Sequence, residues 1–287
     1  MSDSASFIAN WLIWRDAVMV SVISAALLGY LGVWVVLKRV IYVPLALAQV
    51  SSVGVVTAFL LADFTHVWLD TTSDLHDVFN PAAMALVFAL LASFFFARRG
   101  SNSDESVVTA YLVGSAVALI LGGFVRQDFH DLQSVLFGSA VLVETVQIFY
   151  VGAAALIVAL LHAFYFRRFL FVSFDPDSAG ASGISVVRTE MLLYGSVGIM
   201  ISVATRAIGA LPAFGFIVLP ALLGLRLGRS MRSTGLIAVV VATVAAVVGY
   251  YASWVLELPT GACMVAVAAI LYGLGMLAPG RGRVARV

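Results

Sequence analysis

Apolar and polar positions along this chain fall into long blocks. Apolar runs occupy residues 17–37, 40–61, 81–97, 106–125, 145–166, 191–205, 208–225, 234–256 and 261–277. A helix needs roughly 20 predominantly apolar residues to cross a hydrocarbon core about 30 Å thick. The pattern therefore predicts an all-α, polytopic integral membrane helix bundle with about nine spans, or eight if a short pair merges. Residues 132–143 are also apolar, but Gly138 punctuates them, and they read as an interfacial or broken helix. Residues 1–16 read as a short amphipathic lead with Trp11 and Trp14 as interface anchors. That lead carries acids and no basic n-region, so it does not read as a cleaved signal peptide.

Composition agrees with the pattern. Of 287 residues, 62% are hydrophobic and 11% charged, with a mean hydropathy of +1.08. Soluble domains carry roughly 25% charge, so lipid must be the solvent. The formal net charge of +1 gives no sign of a nucleic-acid partner. Cys263 is the only cysteine, which excludes an internal disulfide and a cysteine-based metal cluster within the chain. No gap between spans is long enough for a soluble domain. The whole chain, 1–287, therefore reads as one transmembrane domain.

The basic residues orient the bundle. Lys38-Arg39, Arg98-Arg99, Arg167-Arg168-Arg188, Arg226-Arg229-Arg232 and Arg281-Arg283-Arg286 mark alternate ends of successive spans. The opposite loops hold Asp63, Asp70, Asp74, Asp77, Asp128, Asp131 and Glu257, with Arg126 the exception. By the positive-inside rule the basic loops are cytoplasmic, the N-terminus lies outside and the C-terminus inside. Arg206 sits where the sixth run meets the seventh.

The longest polar interval in the second half, RRFLFVSFDPDSAGASGISVVR at 167–188, lies on the basic side. Asp175-Pro176 reads as a helix start, an Asx N-cap followed by proline at the first helical position, with Asp177 favourable beside the positive end of the dipole. Gly180 and Gly183 end that helix within about two turns. A short capped helix between spans is what a membrane protein would show to a soluble partner. The alternative is a solvated loop with an incidental proline.

The stretch FDPDSAGASGISVVR, followed by an apolar span, resembles the cytoplasmic coupling segment of permease subunits in the zinc, manganese and iron ATP-binding cassette importers, the ABC-3 type. Three further places agree: LGVWVVLKRVIYV at 31–43, RAIGALPAFGFIVLPALLGLRL at 206–227, and ELPTGACMVAVAAILYGL at 257–274. DLQSVLFGS at 131–139 is a weaker match. The resemblance implies that Phe174, Asp175, Pro176, Asp177, Gly183, Ile184 and Arg188, within a coupling helix at about 174–186, meet the ATPase. It further implies a homodimer, cytoplasmic ATPase subunits carrying ATP and Mg, and an extracytoplasmic metal-binding protein. The transported divalent metal would be the cargo. No phosphate-binding loop exists here: the only lysine, Lys38, is followed by arginine. No cofactor is expected on this chain, and it is expected to be a transport subunit rather than an enzyme.

One departure from the family pattern matters. Many members begin the second span with an aspartate and, one helical turn later, a histidine facing the path; here the matching positions are Leu45 and Gln49. Leucine cannot ligate, and a neutral amide is a poor transition-metal ligand. Gln49, Ser51 and Ser52 remain as polar candidates for the translocation path, with Arg206, Gly209 and Pro212, or else as helix-helix hydrogen-bonding and packing positions. Asp63, His66, Asp74, His76 and Asp77, with Asp128, His130 and Asp131 in a second group, are candidate metal-receiving residues of the outer loops, or ordinary solvated ones. His162 reads as packed or interfacial rather than as a ligand.

No catalytic motif is present: the spans hold no paired aspartates and no zinc-protease helix. The sequence thus points to a permease moving a divalent metal ion across the bacterial inner membrane. A related permease for a chelated or non-metal substrate, or a non-transporting membrane scaffold, is the alternative.

Overall fold

The computed structural model describes residues 11–69, 80–99, 104–124 and 145–277. Among the described residues there are ten helices and no strand. They are α1 (Trp11–Leu37), α2 (Val43–Leu69), α3 (Pro81–Arg99), α4 (Asp104–Gly122), α5 (Thr145–Phe174), α6 (Pro176–Ala181), α7 (Val186–Ile208), α8 (Ala210–Leu227), α9 (Met231–Leu256) and α10 (Thr260–Leu277). Nine of them, all but α6, are long and apolar enough to span a membrane. Most of these are apolar around their whole circumference, as helices between lipid and protein must be.

Contacts sort the helices into an interior and a rim. α1 lies against α5, α7, α8 and α9, while α2 packs on α3, α4 and α7. α7 joins the two groups by touching α1, α2, α3, α5 and α8. Its span is 72% buried and that of α1 61%, against 22% for α4 and for α5. α7, α1 and α8, whose span is also 61% buried, are thus the inner posts, and α4 and α5 turn most of their surface outward.

Small residues allow the posts to close. A Cβ built on Gly32 would lie 1.8 Å from the Ile217 carbonyl oxygen, so α1 and α8 touch backbone to backbone there. Polar side chains inside the bundle are satisfied locally. Ser21, Ser52 and Ser93 donate to the carbonyls of Ala17 (2.7 Å), Ala48 (3.0 Å) and Ala89 (2.7 Å) on their own helices. Arg226 Nη2 donates to the Met276 carbonyl at 2.8 Å and so caps the end of α10 from a neighbouring helix.

Several helix ends differ from the sequence expectation. α1 is continuous from Trp11 through Asp16, so the described part of the expected lead belongs to the span; residues 1–10 lie outside the described residues. Trp14 is buried and sits edge-on to Trp254 of α9, centroids 3.9 Å apart, so its ring packs against a neighbouring helix. α5 runs past residue 166 to Phe174, because arginine is a good helix former and only Asp175-Pro176 stops it. α7 begins at Val186, earlier than residue 191, since Arg188, Thr189 and Glu190 stay helical. α2 begins at Val43 because the chain turns at Arg39, whose φ is 60°. Residues 132–143 lie outside the described residues.

Candidate functional site

The segment between α5 and α7 is built from its backbone bonds outward. The Phe171 carbonyl accepts the Asp175 amide at 2.9 Å and closes α5. Asp175 then leaves helical geometry, at φ −144° and ψ 81°, and Pro176 opens α6. The Ser178 amide donates to Asp175 Oδ1 at 3.0 Å, the N-cap read from the sequence. The Ser178 side chain, then its amide, hold the exposed Asp175 carboxyl below the ordinary carboxylate range. Asp177 stands in the first turn.

The other end is equally defined. The amides of Ile184 and Gly183 donate to the carbonyls of Ala179 and Gly180, each at 3.0 Å. These are the two bonds of a Schellman stop, with Gly183 in the left-handed position at φ 81°. Gly183 therefore ends the helix, while Gly180 remains inside it. Only Ala179 of α6 is buried, at 0% exposure. Phe174, Asp175, Pro176, Asp177, Gly183 and Arg188 are exposed and Ile184 is half-buried. All seven coupling candidates thus lie in or beside this short, largely exposed segment. Nearby, Arg168 places its guanidinium 5.5 Å from the centroid of the Tyr165 ring.

The path candidates are dispersed. Ser51 and Ser52 are buried, and Ser52 bonds back to its own helix. Gln49 is half-buried against α4, where a Cβ on Gly114 would lie 3.3 Å from the Gln49 Cβ. Gly209, at φ 94°, is both the C-cap of α7 and the N-cap of α8, and the buried Pro212 sits in the first turn beyond it. Arg206, exposed near the end of α7, lines a groove of about 470 Å³ between α3, α5 and α7. Its polar neighbours are Asn80, Gln147 and Ser202; Leu86 and Ile157 form part of its apolar wall.

Of the metal candidates, Asp63 and His66 fall on the last turns of α2. Asp74, His76, Asp77, Asp128, His130 and Asp131 lie outside the described residues. Among the described residues no three His, Cys, Asp or Glu side chains come together as a metal site. His162 is a packed residue. The Ser196 hydroxyl donates to the Leu193 carbonyl at 2.7 Å, so the His162 Nε2, 2.8 Å from Ser196 Oγ, carries the hydrogen and donates to it. Trp34, Tyr30 and Phe169 surround the ring at centroid distances of 5.9, 5.4 and 4.8 Å.

One pair escaped the sequence reading. Lys38, just beyond α1, forms an ion pair with Glu190 of α7, and the two side chains are only 10% and 16% exposed. The signal available was that Lys38 is the only lysine among sixteen basic residues.

Among the described residues, nine helices long and apolar enough to span, with a short, exposed, capped helix between two of them, define a multi-pass membrane protein. The profile of the ABC 3 transport family matches residues 11–278, and the chain belongs to that family. It is 24% identical over 269 residues to the manganese transport system membrane protein MntC of Listeria monocytogenes, covering 93% of this chain and 91% of the relative. It is 21% identical over 264 residues to the high-affinity zinc uptake system membrane protein ZnuB of Haemophilus influenzae, covering 91% and 95%. The fold matches the solved PsaBC from Streptococcus pneumoniae in complex with Fab, with a TM-score of 0.82 at 20% identity over 97% of each chain.

Proposed function

We propose that this chain is the permease subunit of an ATP-binding cassette importer that moves a divalent metal ion across the bacterial inner membrane by alternating access. The carrying observation is the doubly capped helix α6, held out in solvent between two spans. Two copies enclose one path, and two cytoplasmic ATPase subunits dock on the α6 knobs. The knob lies on the cytoplasmic side by its basic flanks, which puts the N-terminus outside and the C-terminus inside. ATP and Mg belong to the partner subunits, and an extracytoplasmic binding protein delivers the ion. Relatives named for manganese and for zinc transport support a divalent transition metal as cargo.

A second reading has one specific observation in its favour. Leu45 and Gln49 stand one turn apart on α2 and supply no strong metal ligand. That favours a chelated or non-metal substrate carried by the same architecture. Uptake of radioactive manganese, zinc and iron by cells expressing the complete transport system, against a deletion of this gene, separates the two. ATP-dependent uptake of one free ion, lost in the deletion, is the expected result. Equal uptake of all three ions by both strains, with the complex assembled, overturns the free-ion reading.

A further inference from the structure

α6 rests on both neighbouring helices. Ala179 is fully buried, and a Cβ on Gly180 would lie 3.8 Å from Val186 Cγ2 in the first turn of α7. The N-cap of α7, Ser185, makes no side-chain capping bond. The Glu190 carboxylate of α7 instead pairs with the Lys38 ammonium in the α1–α2 turn, a contact between positions 152 apart in sequence.

The Lys38 side of that contact is equally constrained. α1 ends in a Schellman stop, with the Val40 amide on the Val35 carbonyl (3.1 Å) and the Arg39 amide on the Val36 carbonyl (3.0 Å). Glycine normally takes the left-handed position of such a stop, yet here Arg39 takes it, at φ 60°. Val40 and Val35 are both buried beneath the turn. One turn further along α7, Leu193 packs with Trp34 of α1 and Phe169 of α5. The first turns of α7 are thus held by one charged contact to the α1–α2 turn and one apolar contact to the last turn of α1.

We infer that the Lys38–Glu190 pair is a positioning latch that makes the α1–α2 turn move with the coupling helix, an inference that rests on the proposed permease function. A movement of α6 enters α7 through Val186, and the ion pair passes it to the α1–α2 turn and so to the inner post α1. Both side chains are largely shielded from water, so the pair resists screening that would weaken an exposed bridge. Separating the pair leaves two shielded charges without each other, which favours one joined state over two separated ones.

The test uses the complete complex in lipid, with nucleotide trapped on the ATPase. Hydrogen exchange is followed at 176–190 and at 38–43, and ATP hydrolysed per ion moved is measured in parallel. In the wild type, trapping nucleotide changes exchange in both segments. In Lys38→Met and Glu190→Gln, the response at 176–190 persists, the response at 38–43 falls at least fivefold, and the ATP cost per ion rises about tenfold. The charge swap Lys38→Glu with Glu190→Lys restores at least half of the transport. A response at 38–43 that survives in both single variants, or an unchanged ATP-to-ion ratio, overturns the latch. A wild-type complex with no nucleotide response at 176–190 overturns the docking role of α6 itself, a separate failure.

Discussion

Gly32→Ala tests whether the inner posts meet at backbone contact. The new methyl would stand 1.8 Å from the Ile217 carbonyl oxygen, 2.7 Å from its carbon and 3.0 Å from Ala221 Cβ. A comfortable carbon–oxygen contact is about 3.3 Å or more, so α1 and α8 must part by about 1.5 Å at this level. None of the nearest atoms is the end of a flexible side chain, so rotamer changes cannot absorb the clash. Overpacking typically costs 1–3 kcal/mol, and a gap of even 0.5–1 Å forfeits a quarter to half of each neighbouring contact. We expect about 3 kcal/mol, or a fall of roughly 6–12 °C in apparent melting temperature.

Gly152→Ala on α5 is the matched control, because a Cβ there meets nothing within 4 Å. Alanine in a helix interior gains about 0.5–1 kcal/mol over glycine, so this variant should melt at or slightly above the wild type. The two purified proteins are compared by intrinsic tryptophan fluorescence on heating in the same detergent. Melting temperatures within 2 °C of one another would refute the close approach of α1 and α8.

The capped helix yields three further expectations, and the last helix yields one. Gly183→Ala forces a side chain into the left-handed region and costs about 1 kcal/mol locally, yet no atom within 4 Å opposes its Cβ. Transport should survive it; Gly183→Trp keeps the same strain but fills the docking side, so a folded dimer that no longer imports is expected by uptake assay. Asp175 has its carboxyl lowered from an ordinary 3.8 in the folded state. Its capping contribution is then fully present above that value and lost as pH falls through the lower folded one, which Ser178 amide exchange relative to its intrinsic rate, at pH 6 and in strong acid, will show. Arg226→Met removes the donor on the Met276 carbonyl and should loosen the end of α10 by about 1 kcal/mol, seen as faster exchange at 273–277 with α1 unaffected.

Span number was legible because length against bilayer thickness is a strong signal. Which face of each span packs inward was not. Lipid tails and a protein core are equally apolar, so hydrophobicity carries no facing information. Facing is set instead by steric detail such as the missing Cβ at Gly32, which only the partner helix reveals. Trp14 shows the same limit: an indole near a span end suits the interface in general, but here Trp254 offers a ring to pack on. The capped helix was legible because its determinants are local. Asp175, Pro176 and Gly183 each fix a backbone state within a few residues. The Lys38–Glu190 pair and the His162–Ser196 bond are nonlocal, at separations of 152 and 34, and spacing along a chain says nothing about such meetings.

The placement of α6 also bears on where a load would go. Its internal bonds at both caps make it stiff for its length, while one buried alanine holds it to the bundle. A push on such a knob is passed to its two joints rather than absorbed. The α5 joint leads to a rim helix whose span is 22% buried; the α7 joint leads to the most enclosed span, 72% buried. Work delivered to α5 meets few packed neighbours within the chain, whereas work delivered to α7 meets packed side chains that transmit strain. The far end of α7 then turns through Gly209, whose φ of 94° is open to glycine and strained for other residues, directly into α8. A stiff knob at one end and a glycine joint at the other make α7 the lever along which, under the proposed docking, a load on α6 would reach the middle of this bundle.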